Sequence, residues 1–322
     1  MRNCLRVFTS LIPLTLMTVG AMAQDYPSRP ITIVVGISPG GITDVTTRII
    51  AEALSKRVGE RIVVENRTGG GGAIAAASVQ NAAPDGYTLL AFLGSQHSAV
   101  PAMQKVQFDP VKGFKPISLL FDLVTFIAVP ADSPANSMSE LLAWGKRKDG
   151  GLSFGSPGVG TPSHLLAARI ARATNTPTQF VHYRGGAPMM TDLITGRVDF
   201  ALPTFTVAQA FVREKKIKVL AIDADQRSNQ MPEVPTLTEA GLGDEKVASW
   251  VGLAAPAGTD DAIVRKLNGA LVSVASDAEL RQRLAANGTA IRTSTPEDTL
   301  RLLADEVART QELVINLGIK QP

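Results

Sequence analysis

From Tyr26 onward the chain alternates short β-branched runs with segments whose apolar residues recur at helical spacing, and glycine-rich turns stand between them. No other sequence feature narrows the fold as much. Parallel strands need a crossover, usually a helix, so a chain written this way folds as α/β units around mainly parallel sheets. Residues 31–36 read as a buried strand, followed by a helix with Val45, Ile49, Ile50, Ala53, Leu54 and Val58 on one face. Comparable strand–helix pairs recur through residues 61–93 and 124–222, and Ser137 to Glu140 has the capping-box form that opens a helix. The C-terminal part is helical over 260–276, 277–286 and 296–317. With 322 residues, 45% of them apolar and 19% charged, there is material for two cores. Two α/β blocks, with the chain returning to the first, make a bilobed protein with a cleft. The crossings are expected near Phe126 and Ser249, giving lobe 1 as 24–126 plus 250–322 and lobe 2 as 127–249.

The N-terminus reads as a targeting segment. Arg2 and Arg6 precede an apolar stretch at 7–19, and Ala21-Met22-Ala23 forms a small-x-small site before Gln24. That is the layout of a secretory signal peptide spanning 1–23, cleaved after Ala23, with the periplasm as destination. A spanning helix needs roughly 20 apolar residues, and this run is shorter. Cys4 is the only cysteine and lies before the apolar run, so the mature chain has neither a disulfide nor a thiolate metal site. Cleavage removes two of 32 basic residues and no acid, leaving 30 against 29 and a net charge of +1. Such a balance builds no basic face for nucleic acid.

In open α/β sheets ligands collect where strands end and helices begin. The turns there are unusual. Ser38-Pro-Gly-Gly-Ile-Thr-Asp44 brings a flexible backbone to a helix N-terminus, whose unpaired N–H groups favour an anion. Thr43 or Asp44 is the expected N-cap, and Asp44 is also a candidate for a ligand amine or a water. In Gly155-Ser-Pro-Gly-Val-Gly-Thr-Pro-Ser-His164, Thr161 reads as N-cap and Pro162 as the first helical residue. Ser156, Gly160, Ser163 and His164 add donors beside that helix end. His182-Tyr183-Arg184-Gly-Gly is a third such turn, and Asp199 and Thr204 are expected on the same edge. The Gly69–Gly72 run lacks the Lys-Ser/Thr of a phosphate loop and reads as a flexible turn.

Enzyme signatures are mostly missing. There is no G-x-S-x-G elbow and no H-E-x-x-H, and the three histidines are His97, His164 and His182. The reading is therefore a non-enzyme with no metal and no cofactor. A serine hydrolase using Ser163 or Ser156 with His164 or His182 is the rival of different class.

The ordered set of short motifs resembles a known family. Pro39-Gly-Gly-Ile-Thr-Asp44, Val64-Glu-Asn-Arg-Thr-Gly69, Pro84-Asp-Gly-Tyr-Thr-Leu-Leu90, Gly160-Thr-Pro-Ser-His-Leu165, Gly196-Arg-Val-Asp199 and Pro235-Thr-Leu-Thr-Glu-Ala-Gly241 are similar to Bug-type (TctC-like) proteins, the substrate-binding components of tripartite tricarboxylate transporters. The resemblance implies a type-2 periplasmic binding fold whose two lobes close on a ligand like a flytrap. It implies a small carboxylate as ligand: a dicarboxylate, an acidic amino acid or an aromatic acid. Its partners would be permease subunits or a sensor ectodomain, and the protein a monomer. The family's carboxylate grip maps to Gly40, Gly41, Thr43 and Asp44 and to Ser156, Thr161, Ser163 and His164. Ser38, Ser95, Gln96, His97, Tyr183, Thr204 and Phe205 would complete the walls. Ser38 and the 94–98 segment stand where the chain departs from the family pattern, which leaves the ligand's identity open.

Overall fold

The computed structural model describes residues 26–317 except Ser38, Val159, Arg184, Asp225, Asn229, Gln230 and 244–248, and only the backbone of Gln96 and Thr206. The expected leader peptide, Ser38 and the Gln96 side chain therefore lie outside the described residues.

The first block runs β1 (Ile31–Val35), α1 (Ile42–Val58), β2 (Ile62–Asn66), α2 (Ala73–Gln80), β3 (Thr88–Leu93), α3 (Gly94–Met103) and β4 (Phe114–Asp122). The second runs β5 (Thr125–Pro130), α4 (Met138–Arg147), β6 (Leu152–Ser156), α5 (Pro162–Ala173), β7 (Thr178–His182), α6 (Gly186–Ile194), β8 (Phe200–Ala201), α7 (Phe205–Arg213) and β9 (Ile217–Asp223). The chain then returns through β10 (Trp250–Pro256), α8 (Asp261–Val274), α9 (Ala278–Ala286), β11 (Ala290–Ile291) and α10 (Pro296–Leu317).

Two sheets result, ordered β11-β4-β10-β3-β1-β2 and β7-β6-β8-β5-β9. In the first, β10 runs antiparallel between β3 and β4; in the second, β5 runs antiparallel to β8 and β9. These are the two strands by which the chain enters each lobe from the other. An entering strand starts at the edge facing the other lobe, whereas each lobe's own parallel strands end there. Helices that follow parallel strands thus begin at the facing edges, and α4 and α8, which follow entering strands, begin at the far edges.

Burial on both faces explains the near-continuous apolar strands. Ile31, Ile33 and Val35 pack with Leu54 of α1 and Leu267 of α8, while Val34 joins Leu90, Phe92 and Leu303 of α10. The second sheet repeats this period of two. Ile127 and Val129 share a core with Phe154 and Leu165, and Phe126 and Ala128 share one with Met189 and Leu193.

The first crossing falls at Leu123–Val124, where the Leu123 N–H donates to the Ser249 carbonyl at 2.6 Å. Phe126, expected at the end of lobe 1, instead lies inside β5 and pairs with Ile222 in the second sheet. Its apolar run belongs to the strand after the crossing, a distinction periodicity does not make. The last helix also departs from a simple assignment to lobe 1. Leu303 and Val307 are in the first lobe's core, and Leu313 packs against the second's. Among the described residues no helix is long and apolar enough to cross a membrane.

Candidate functional site: the cleft between the lobes

The helix ends on the facing edges differ from those elsewhere. The N-cap residues of α1, α2, α3, α6 and α7 are Gly41, Gly72, Leu93, Gly185 and Thr204, and none makes a side-chain capping bond. Away from the cleft, Ser137, Asp260 and Asp277 cap α4, α8 and α9 with their own oxygens, and Thr295 accepts from the Asp298 N–H at the start of α10. Among the described residues of the cleft side, only Thr161 caps its own helix, α5. Uncapped first turns present backbone N–H groups and the positive ends of helix dipoles. The turns 36–41, 157–161 and 202–204 contain no lysine or arginine. The positive potential of these turns is that of the backbone.

On the first lobe, Asp44 is not the N-cap but a brace of the turn. Its carboxylate is 3% exposed and accepts from the Gly40 N–H at 2.9 Å, Arg48 Nε at 3.0 Å and Asn66 Nδ2 at 2.9 Å. Burial alone would push its pKa up. The bonds from Arg48, Gly40 and Asn66 outweigh burial and hold it below the usual value. Asp44 therefore locks the Gly40–Gly41 turn in place, and the expectation that Thr43 or Asp44 caps α1 gives way to Gly41. Thr43 lines a small cavity of about 30 Å³, with Gly36, Gly71 and Gly72 also on its wall. Gly36 is glycine because a Cβ there would lie 2.7 Å from the Gly72 Cα. Ser95, in the first turn of α3, is fully buried, and its Oγ has no hydrogen-bond partner among the described residues. His97, expected on the ligand wall, lines the same small cavity as Thr43 and is otherwise buried. Its ring sits among Phe92, Phe108 and Phe114, and Nε2 donates to the Pro110 carbonyl at 2.9 Å.

On the second lobe the hydroxyls build the turn. Ser156 Oγ and Thr161 Oγ1 both donate to the Gly158 carbonyl at 2.8 Å, and Thr161 accepts from the His164 N–H at 3.3 Å. Ser163 Oγ donates to the Leu202 carbonyl at 2.7 Å, tying α5 to the turn that precedes Thr204. The Gly160 N–H donates to His164 Nδ1 at 3.1 Å, which places the imidazole proton on Nε2. Burial, with His182 alongside at 4.7 Å, pushes the His164 pKa down to about 4. The ring is therefore neutral at pH 7. The Tyr183 hydroxyl donates to Asp192 at 2.7 Å.

Asp199 is a correction. It precedes β8 and sits at the opposite end of the sheet, where its carboxylate accepts from Lys148 and from the N–H and Oγ of Ser153. Its place in the Gly-Arg-Val-Asp motif gave no sign of which edge it occupied. Asp199→Ala is expected to lower stability by about 2 kcal/mol by stranding these donors, with solute affinity unchanged. Urea unfolding and a ligand titration of the same variant check both halves.

Sequence reasoning missed Arg48 and Asn66, which hold Asp44. For Asn66 a signal existed, because it lies in the Val64-Glu-Asn-Arg run.

Two lobes joined by crossing strands, with uncapped helix ends facing each other, define a solute-binding protein of the two-lobed periplasmic type. The chain belongs to the family described as "Tripartite tricarboxylate transporter family receptor", whose profile matches residues 46–319. It is 34% identical over 310 residues to the UPF0065 protein in the tcbD-tcbE intergenic region of Pseudomonas sp. strain P51, covering 94% of this chain and 92% of that one. MatC from Rhodopseudomonas palustris, solved with bound malate, is 32% identical with a TM-score of 0.78, covering 90% of this chain and 100% of that chain. R. palustris Rpa4515, solved with adipate, is 28% identical with a TM-score of 0.82, covering 92% of this chain and 99% of that chain.

Proposed function

We propose that the protein captures a small carboxylate in the periplasm and presents it to membrane permease subunits, without turning it over. The observation that carries this reading is the set of uncapped helix ends on both facing edges, in contrast to the self-capped helices elsewhere. An incoming carboxylate supplies the acceptor that those ends lack, and lobe closure removes competing water. The malate and adipate held by MatC and Rpa4515 support the same ligand class. Binding without turnover is supported by the site serines. Ser156 and Ser163 both donate to backbone carbonyls, and His164 Nδ1 is engaged by the Gly160 N–H. A sensor partner in place of a permease uses the same capture step.

The test is a thermal-shift screen of refolded protein against dicarboxylates, acidic amino acids, aromatic acids and their amides. A ligand at 100 times its dissociation constant stabilises by about 2.7 kcal/mol. Thr204→Asp sharpens the test. Thr204 has extended N-cap geometry, so an aspartate there caps α7 itself. Stability is expected to hold or rise slightly, while carboxylate affinity falls roughly 100-fold. Retained affinity, or shifts by the amides alone, would overturn the anion grip.

A further inference from the structure

Most left-handed glycines of this chain are explained within their own lobe. A Cβ on Gly40, Gly185, Gly196 or Gly241 would meet nothing within 4 Å, and those on Gly71, Gly86 and Gly151 would meet neighbours in the same lobe. Gly160 and Gly288 differ. Gly160, at φ +73°, lies in the β6–α5 turn of the second lobe, and a Cβ there would be 2.5 Å from Met103 Cε at the end of α3 in the first. Gly288, at φ +70°, lies between α9 and β11 of the first lobe, and a Cβ there would be 2.7 Å from Phe205 Cγ, at the start of α7 in the second. Each lobe thus presses one side chain onto a bare glycine of the other.

The two pressing side chains differ in stiffness. Phe205 is buried and backed by Phe126, with ring centroids 5.8 Å apart, and Phe126 lies just past the first crossing. It is a rigid stop. Met103 packs beside Ala99 on the second lobe's core, and its unbranched thioether is a compliant one. Phe205 follows Thr204, and Gly160 precedes Thr161, so both contacts sit next to the helix ends that face the solute.

We infer that Met103 on Gly160 and Phe205 on Gly288 set the endpoint of lobe closure, and with it the length of solute the cleft accepts. This rests on the reading that the solute binds between the lobes. A bulkier residue at either glycine holds the lobes apart and favours longer ligands. A smaller residue at either stop lets them approach further and favours shorter ones.

The experiment uses the full mature chain, small-angle X-ray scattering, and titration with straight-chain dicarboxylates from malonate to adipate. Gly288→Ala is expected to enlarge the radius of gyration measured with dicarboxylate present, to weaken the best ligand at least tenfold, and to move the optimum to a longer chain. Phe205→Ala and Met103→Ala are expected to move it to a shorter one. Alanine at φ +70° also strains the backbone, so the double variant Gly288→Ala/Phe205→Ala separates the causes. Removing the ring restores closure if collision is the cause and leaves the defect if strain is. Unchanged scattering and chain-length preference in every variant, or a double variant without recovery, would overturn the inference. If wild type binds no dicarboxylate, the ligand class proposed above fails; the scattering of the variants without ligand then decides the closure contact alone, expansion by Gly288→Ala supporting it and no change refuting it.

Discussion

Replacing Asp44 by alanine is expected to lower stability by about 3 kcal/mol, because three donors lose a buried acceptor at once. Arg48, Asn66 and the Gly40 N–H all converge on that carboxylate. Solute affinity should fall on the order of tenfold or more, since the Gly40–Gly41 turn is then held only by its own backbone. Arg48→Ala is the control. Arg48 is about half exposed, and its loss leaves the bonds from Gly40 and Asn66, so a cost below about 1 kcal/mol is expected. Denaturant unfolding and titration calorimetry on both variants measure this. Equal, small effects would mean that the turn does not depend on the Asp44 cluster.

Acid should destabilise the protein through its histidines before its carboxylates. Burial pushes both His97 and His164 from the ordinary 6.5 down to about 4, and burial lowers His182 as well. The unfolded chain binds these protons near pH 6.5 and the folded chain only near 4. Stability is therefore full above pH 6.5 and is lost as pH falls toward 4, by roughly 3 kcal/mol for each of His97 and His164. Asp44 and Glu65, whose pKa values are lowered, keep their full contribution until pH nears the ordinary carboxylate range of about 4, so they add to the loss only at the acid end of this window. Protonating His164 at Nδ1 also breaks the bond from the Gly160 N–H, so affinity should hold through pH 5.5 and fall only as pH approaches the folded value of about 4. Urea midpoints at pH 7.5, 5.5 and 4.5 test the slope, with His97→Phe/His164→Gln expected to remove most of it. A double variant with the wild-type slope would reject the assignment.

The same residues separate what the chain carries locally from what its packing adds. Strand and helix order, the Ser137 capping box and the Thr161–Pro162 helix start were legible because each depends on residues a few positions apart. The glycine turns were legible as helix starts sharing one sheet edge because parallel strands deliver helix N-termini to one side. The motif resemblance placed the chain in its family. Periodicity does not resolve which sheet a strand joins, so Phe126 was placed one strand early. Asp199 read as a residue of the facing edge until Lys148 and Ser153 appeared around it at the opposite end of the sheet.

The sequence alone determined the α/β class and the glycine turns from which the helices of the facing edges start, since local conformation follows from neighbouring residues. The tertiary structure decided what each polar side chain does there. A hydroxyl or carboxylate takes whichever donor or acceptor packing brings within about 3 Å, and those partners come from distant parts of the chain. Asp44 thereby became a brace, Ser163 a tie between turns, and Gly160 and Gly288 the seats on which the opposite lobe rests.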